Sequence, residues 1–263
     1  KDIAKIADTY LNRKTVDGYS TMADIQTISE NEYNLLPFRY FDKIEVETEF
    51  GDASIFKETY EKLDRAFLGE IATLQRGINI TKKEFDKDSS NCLVINLADV
   101  DPNGEIIFEN LKGANINSKR MKEYMLVPGD ILISSRGTRK TKVIVVPDTE
   151  KTLIFSSNFI RLKLHNNNEF DPYFVKFFID GPLGQYYLKS YQKGSMVTVL
   201  SAKDIEKISI PKITYNRQFE ISRRMLQIQQ EYKQLIKEAE EIKKRGFMEG
   251  YRLMGLEDSF EII

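Results

Sequence analysis

At 263 residues the chain is long enough for one large domain or two modest ones, each with a real core. With 41% hydrophobic and 30% charged residues it has the make-up of a globular protein, and no run approaches the roughly eighteen apolar residues of a membrane span. A net charge of −1 excludes a uniformly basic binder, while a single cysteine, Cys92, excludes an internal disulfide and fits a reducing cytoplasm.

Ile3, Ile6 and Tyr10 recur at helical spacing, so residues 1–15 read as the end of a helix that Gly18 stops. The chain opens on Lys1, with neither an initiator Met nor a leader pattern, so a fragment of something longer is expected. The aromatic stretch "NEYNLLPFRYFD", broken by Pro37, reads as an extended, docked strap. Residues 42–52, with two Asp and three Glu against one Lys, read as a linker, and a short helix is expected from Ser54 to Ala66.

From Phe67 to Pro211 short β-rich runs dominate: Leu93–Leu97, Ile106–Phe108, Ile131–Ile133, Val143–Val146, Leu153–Phe155, Phe159–Leu164 and Met196–Leu200. One amphipathic helix, Pro172 to Ser190, interrupts them. The fold class expected is α+β, a twisted, mostly antiparallel sheet or partial barrel followed by a long carboxyl-terminal helix. In that helix Ile221, Met225, Ile228, Tyr232, Leu235, Ala239 and Ile242 keep alternating spacings of four and three. Such a heptad seam calls for a second helix to cover it, in cis or in trans, and Gly246 is expected to end it. The organisation expected is therefore a tail with linker over 1–52, a β-rich domain over 53–213, and the long helix with an apolar tail over 214–263.

Catalytic and metal chemistry find little support. "DVDPNGE" (Asp99 to Glu105) imitates the start of a calcium loop, but its twelfth position is Asn110 rather than a bidentate Glu, and Pro-Asn-Gly suits a tight turn. One His (His165) and one Cys (Cys92), far apart, cannot build a zinc cluster, and Cys92 leads a β-run as a small core residue. No phosphate-binding loop, dinucleotide fingerprint or nucleophile elbow is present, and "NLLPF" is not the Asn-Pro-Pro-aromatic tetrapeptide of adenine methylases.

Charge points elsewhere. Residues 1–65 hold 9 basic against 14 acidic side chains, whereas Leu111–Lys142 hold eight cations against two acids. Three loops of the β-rich part contain one Gly, at least two cations and no acid: "LQRGINITKK" (74–83), "SSRGTRKTK" (134–142) and "LKSYQKGSMVT" (188–198). Arg grips guanine edges or phosphate, Lys holds phosphate, and Ser, Thr and Gln add hydrogen bonds, while Gly allows close backbone approach. Arg76, Arg136 and Arg139 are the candidates for base-edge or phosphate contact. Lys82, Lys83, Lys140, Lys142, Lys189 and Lys193 are candidate phosphate clamps, with Gln75, Ser135, Thr138, Gln192 and Ser195 as polar readers. The rival reading makes the loops merely solvated and the chain a helical assembly module without DNA readout.

The segments "LGEIATLQRG" (68–77), "LVPGDILISSRGT" (126–138), "SSNFIRLKL" (156–164), "DPYFVKFFI" (171–179) and "GSMVTVLSAKDIEKISIPKI" (194–213) resemble, in this order, a target recognition domain of type I restriction–modification specificity subunits. The heptad helix stands where that family has its spacer helix. The segment before the helix, "PKITYNRQ", keeps Pro211 and Gln218 but lacks the usual Pro-rich run, and the loop "TRKTK" is more basic than usual. The first 42 residues resemble something else, the carboxyl end of the methylase subunit of the same systems, with Tyr33, Asn34, Leu35, Arg39 and Tyr40 in its strap. Together the two resemblances imply a fusion: a cytoplasmic adenine-N6 DNA methyltransferase carrying its own recognition domain. They imply double-stranded DNA and a methylase domain or subunit as partners, and a second recognition domain or a second copy through the long helix. No cofactor is expected in these residues; S-adenosylmethionine is implied for the full-length enzyme.

Overall fold

The computed structural model describes residues 2–259 except 17, 32, 34, 36–38, 86–88, 138, 139, 167, 192–197, 257 and 258. It divides into two units, Lys1–Tyr215 and Asn216–Ile263. The first carries α1 (Asp2–Leu11), α2 (Ile25–Glu30), β1 (Lys43–Thr48), β2 (Gly51–Phe56), α3 (Lys57–Glu61), β3 (Arg65–Phe67), α4 (Leu68–Ile71), β4 (Ala72–Arg76), β5 (Cys92–Ile95) and β6 (Lys112–Ala114). Next come α5 (Ser118–Tyr124), β7 (Ile131–Ser134), β8 (Arg136–Gly137), β9 (Val143–Val145), β10 (Leu153–Phe155) and β11 (Phe159–Leu164). It ends with α6 (Pro172–Asp180), α7 (Pro182–Tyr191), β12 (Thr198–Val199), α8 (Ala202–Glu206) and β13 (Ser209–Pro211).

The fold is α+β with mostly antiparallel sheets. A four-stranded antiparallel sheet runs in the order β4-β11-β7-β9, and a three-stranded sheet runs β10-β5-β6 with β10 and β5 parallel. No barrel closes among the described residues. The expected β-runs Ile131–Ile133 and Val143–Val146 pair antiparallel as β7 and β9, with Leu132 opposite Ile144. These strands are apolar without alternation because both faces are covered. Leu132 and Ile144 meet Phe155, Phe159, Ile95 and Leu153 in the core between the sheets. A second cluster holds Cys92 with Val94, Ala114 and Ile154, and burial pushes the Cys92 thiol up to about 11. β3 pairs antiparallel with β13, Arg65 opposite Pro211, which ties residue 65 to residue 211.

Four expectations for the first unit are corrected. Residues 43–56 are not an acidic linker followed by a helix but a β-hairpin, Lys43 opposite Phe56 through Thr48 opposite Gly51. Counting its acids conceals a period of two, in which Ile44 and Val46 alternate with Glu45 and Glu47. Ile44 and Ile55 pack with Tyr186, beside Phe41, Leu183 and Tyr187, so the hairpin is docked on α7. The expected helix from Ser54 to Ala66 shrinks to α3, whose Tyr60 donates its hydroxyl to the Ser209 carbonyl at 2.7 Å. The single helix from Pro172 to Ser190 splits at Gly181, because Pro182 cannot donate the amide that would continue the ladder. Ile106–Phe108 is no strand: Ile106 only bridges Val100, and Phe108–Asn110 is a 3-10 turn. Between them the "DVDPNGE" segment is a turn in which Asp101 Oδ1 accepts from the amides of Asn103 (2.9 Å) and Glu105 (2.7 Å).

The long helix α9 covers Tyr215–Leu253, 39 residues or about 58 Å at 1.5 Å per residue. It runs through Gly246 rather than ending there, since one helical glycine costs only about 1 kcal/mol. The seam residues Met225, Ile228, Tyr232, Leu235, Ala239 and Ile242 are exposed, Leu235 at 64%. Beside them Gln227 donates to Glu231 (2.8 Å) and Gln234 to Glu238 (2.7 Å), a polar row one residue off the seam.

Candidate nucleic-acid interface

Sheet topology brings loops distant in sequence to one end of the β-rich domain. β4 and β7 both run antiparallel to β11, so their carboxyl ends lie beside its amino end: Arg76 pairs with Ile160 and Ser134 with Phe159. The turn Ser156–Asn158, between β10 and β11, is the corner where the two sheets meet. It binds both flanking loops. Ser157 N donates to Ile78 O at 2.9 Å, and the Arg76 Nε donates to Ser157 O at 3.2 Å. On the other side Ser135 N donates to Asn158 O at 2.7 Å and its hydroxyl to the same oxygen at 3.0 Å. Strand β12 pairs with β8 so that Val199 faces Arg136, and Leu200 N donates to Ser135 O at 2.9 Å.

The glycine of the first loop has an internal task. A Cβ on Gly77 would lie 2.2 Å from Ser156 O and 2.7 Å from the Phe155 carbonyl oxygen, so only glycine lets this strand end reach the corner. The expected approach of that backbone to phosphate is thus replaced by approach to protein backbone.

The loop between β7 and β9 is closed at its base. Ser134 N donates to Lys142 O and Lys142 N to Ser134 Oγ, both at 2.9 Å. The Lys142 ammonium turns inward, donating to the carbonyls of Leu97 (3.3 Å) and Val100. Thr141 is held from α7 by Gln185, whose Oε1 accepts from Thr141 N and whose Nε2 donates to Thr141 O, each at 3.0 Å.

Of the expected contact residues, Arg76, Lys82, Lys83, Arg136, Lys140 and Lys189 are exposed. Lys140 pairs with Glu49 of the β1–β2 turn at 3.2 Å. Three others face inward. Ser135 is buried and bonded to Asn158, Lys142 caps two carbonyls, and Gln75 Oε1 accepts from Arg161. Their residue types suit DNA and equally suit this internal service. Thr138, Arg139, Gln192, Lys193 and Ser195 lie outside the described residues.

The sequence left several supporting groups unmarked. Arg161, on β11, donates to Met125 O at 3.0 Å and lies 3.6 Å from Asp130, while burial raises the Asp130 carboxyl above its usual range. Arg120 pairs with Glu84 and donates to Asn79 O at 2.8 Å, pinning the loop that carries Lys82 and Lys83. Hydrogen bonds from the Thr81 amide and hydroxyl, joined by Arg120, hold the Glu84 carboxyl below its usual range. No group of three or more potential metal ligands occurs among the described residues. A surface hollow lined by Phe67, Glu70, Tyr191, Lys203 and Glu206 is open to solvent. No described helix is long and apolar enough to cross a membrane.

Comparison with known proteins adds two findings. Residues 1–49 match the family described as N-6 DNA methylase. No curated protein sequence matches the chain. Among solved structures, a chain from work on complex assembly and conformational transition of the type I R-M system shares 16% identity over 74% of this chain and 44% of its own, with a TM-score of 0.50. The type I restriction–modification S subunit of M. genitalium is 14% identical over 74% of this chain and 50% of its own, TM-score 0.46. The HsdS subunit of Thermoanaerobacter tengcongensis is 16% identical over 64% and 37%, TM-score 0.46. The chain thus spans half or less of the solved chains it matches. Its fold is one found in the type I restriction–modification system, behind a segment of N-6 DNA methylase character.

Proposed function

We propose that this chain is the DNA target recognition part of a restriction–modification adenine-N6 methyltransferase. It binds duplex DNA through the loop-bearing end of its sheet and offers one adenine to a methylase domain, which flips it from the stack. The observation that carries this reading is the meeting of two cation-rich loops at the Ser156–Asn158 corner, with β12 paired beside the second of them. Arg76 and Arg136 are assigned to base edges or phosphate, and Lys82, Lys83, Lys140 and Lys189 to phosphate. Ser135, Lys142 and Gln75 are reassigned to holding the loops. The N-6 DNA methylase match and the fold shared with a type I system chain support the pairing of recognition with methylation. S-adenosylmethionine would then supply the methyl group in the methylase part, in the cytoplasm.

Titration with duplex DNA at several salt concentrations tests the reading. Affinity should fall with salt at a slope near −0.9 per phosphate contacted. Arg136→Ala should cost about 1–3 kcal/mol at one base pair, with stability unchanged. Lys142→Met should instead lower stability by about 1–3 kcal/mol, by stripping two carbonyls of their donor. An affinity independent of salt and sequence would remove the proposal. A second reading rests on the exposed α9 seam: the helix assembles the enzyme by pairing with a methylase helix, a second recognition domain or a second copy of this chain.

A further inference from the structure

We propose that Gln185 is the positioning residue of the recognition loop, gripping it from a helix that is itself anchored on the β1–β2 hairpin, whose first strand lies in the methylase match. This deepens the DNA reading above and rests on it.

A loop that reads base edges must be held to a fraction of an ångström, or its arginines lose their bidentate geometry. The β7–β9 loop is fixed on one flank by the β7–β11 ladder and by Ser135. Its other flank, just past Lys140, joins β7 at Lys142, which bonds Ser134, and one residue earlier Thr141 faces α7. Gln185 fills that place: its amide makes with the Thr141 backbone the two-way pair that a neighbouring strand would make, 3.0 Å in each direction. Its Nε2 also donates to Ile179 O at 3.1 Å, so the amide plane is locked. This reach depends on how tightly α7 folds back against the end of α6. A Cβ on Gly184 would lie 2.3 Å from Phe178 O and 2.5 Å from Ile179 Cα, so glycine alone permits the approach.

The neighbouring residues of α7 face elsewhere. Tyr186 packs with Ile44 and Ile55 of the β1–β2 hairpin, beside Leu183 and Tyr187. At the helix end Arg39 stacks on Tyr191, 4.9 Å to the ring. The hairpin adds a direct contact of its own, Glu49 to Lys140. Since β1 lies within the N-6 DNA methylase match, α7 stands between the methylase-matched segment and the recognition loop, bonded to both.

The test compares Gln185→Met, which keeps side-chain volume and loses the three hydrogen bonds, with the unaltered chain. Three readouts are needed: melting temperature, amide exchange at Thr141, and selection from a randomised duplex library followed by binding to the selected duplex and to an alternating dA-dT duplex. The expected result is a chain that still melts cooperatively, with Thr141 exchange faster by about tenfold. Preference for the selected duplex over the alternating one should fall by about three- to tenfold, with affinity for the latter unchanged. Unchanged Thr141 exchange overturns the proposal, as does faster exchange with unchanged preference. Equal losses on both duplexes overturn it too, since that is what a merely structural residue would give. If the unaltered chain selects no sequence, the DNA reading fails and takes the recognition half of this inference with it. Thr141 exchange then still decides whether Gln185 holds the loop.

Discussion

The four-stranded sheet and the long helix use similar apolar side chains to opposite ends. In β7 and β9 every residue from Ile131 to Ile133 and from Val143 to Val145 is buried, and each strand is covered by its own domain. In α9 the seam from Met225 to Ile242 lies open at regular intervals. The sheet is covered within its own unit, whereas the helix leaves its apolar row exposed. Apolar spacing alone does not separate the two cases. What separates them is continuity: an unbroken run needs cover on both faces, and a seam of period 3.5 needs it on one.

The largest break in this comparison comes from the sheet. Leu132→Ala opens a hole in the fully buried core and should cost about 2–5 kcal/mol, measured by denaturant unfolding. A loss under about 1 kcal/mol would mean that the core collapses around the gap. A counterpart on α9, Leu235→Asp, should leave unfolding free energy within about 0.5 kcal/mol, because nothing of this chain's fold rests on an exposed position. It should instead weaken helix pairing by about 1.5–3 kcal/mol, the worth of burying one leucine. Sedimentation across a concentration series would show this as an oligomer lost in the variant. An unaltered chain that stays monomeric throughout would move the seam's partner to another protein.

A smaller effect separates the hairpin–α7 junction from both regions. Burial of Tyr60 raises its hydroxyl from 10.0 to about 12, and Tyr186 and Tyr187 are pushed up for the same reason. A phenol whose folded value lies above its unfolded one stabilises the fold fully below pH 10. That contribution drains away as pH climbs from 10 to 12, where the unfolded chain ionises first. Tyrosinate absorbance should therefore rise late for these three residues, together with unfolding. A simple titration of all tyrosines near pH 10, with the fold intact, would refute the junction's burial.

Much of the β-rich core was legible, because doubly covered strands leave uninterrupted β-branched runs such as "ILI" and "VIVV". The hairpin at 43–56 was not, since its acids dominate a count and its alternation is only four residues deep. Site residues were legible by type and not by direction. Lys142 and Arg136 are both basic residues of one loop, yet one ammonium turns to the carbonyls of Leu97 and Val100 while the other side chain is exposed. Gln185 gave no signal at all. Its partner Thr141 stands 44 residues away, and only the fold-back of α7 onto α6 brings them together.

The β1–β2 hairpin has a consequence for how such chains can be recombined. The methylase match stops at residue 49, between two strands that share one hydrogen-bonded ladder, and the expected boundary after residue 52 falls inside β2. A graft made at either point would give each parent half a ladder and strip Tyr186 of one of the two isoleucines that cover it. Exchange of segments between chains of this fold by cut and splice should therefore succeed only when the crossover lies outside residues 43–56. The natural seam for swapping is the β3–β13 tie, which holds residues 65 and 211 side by side.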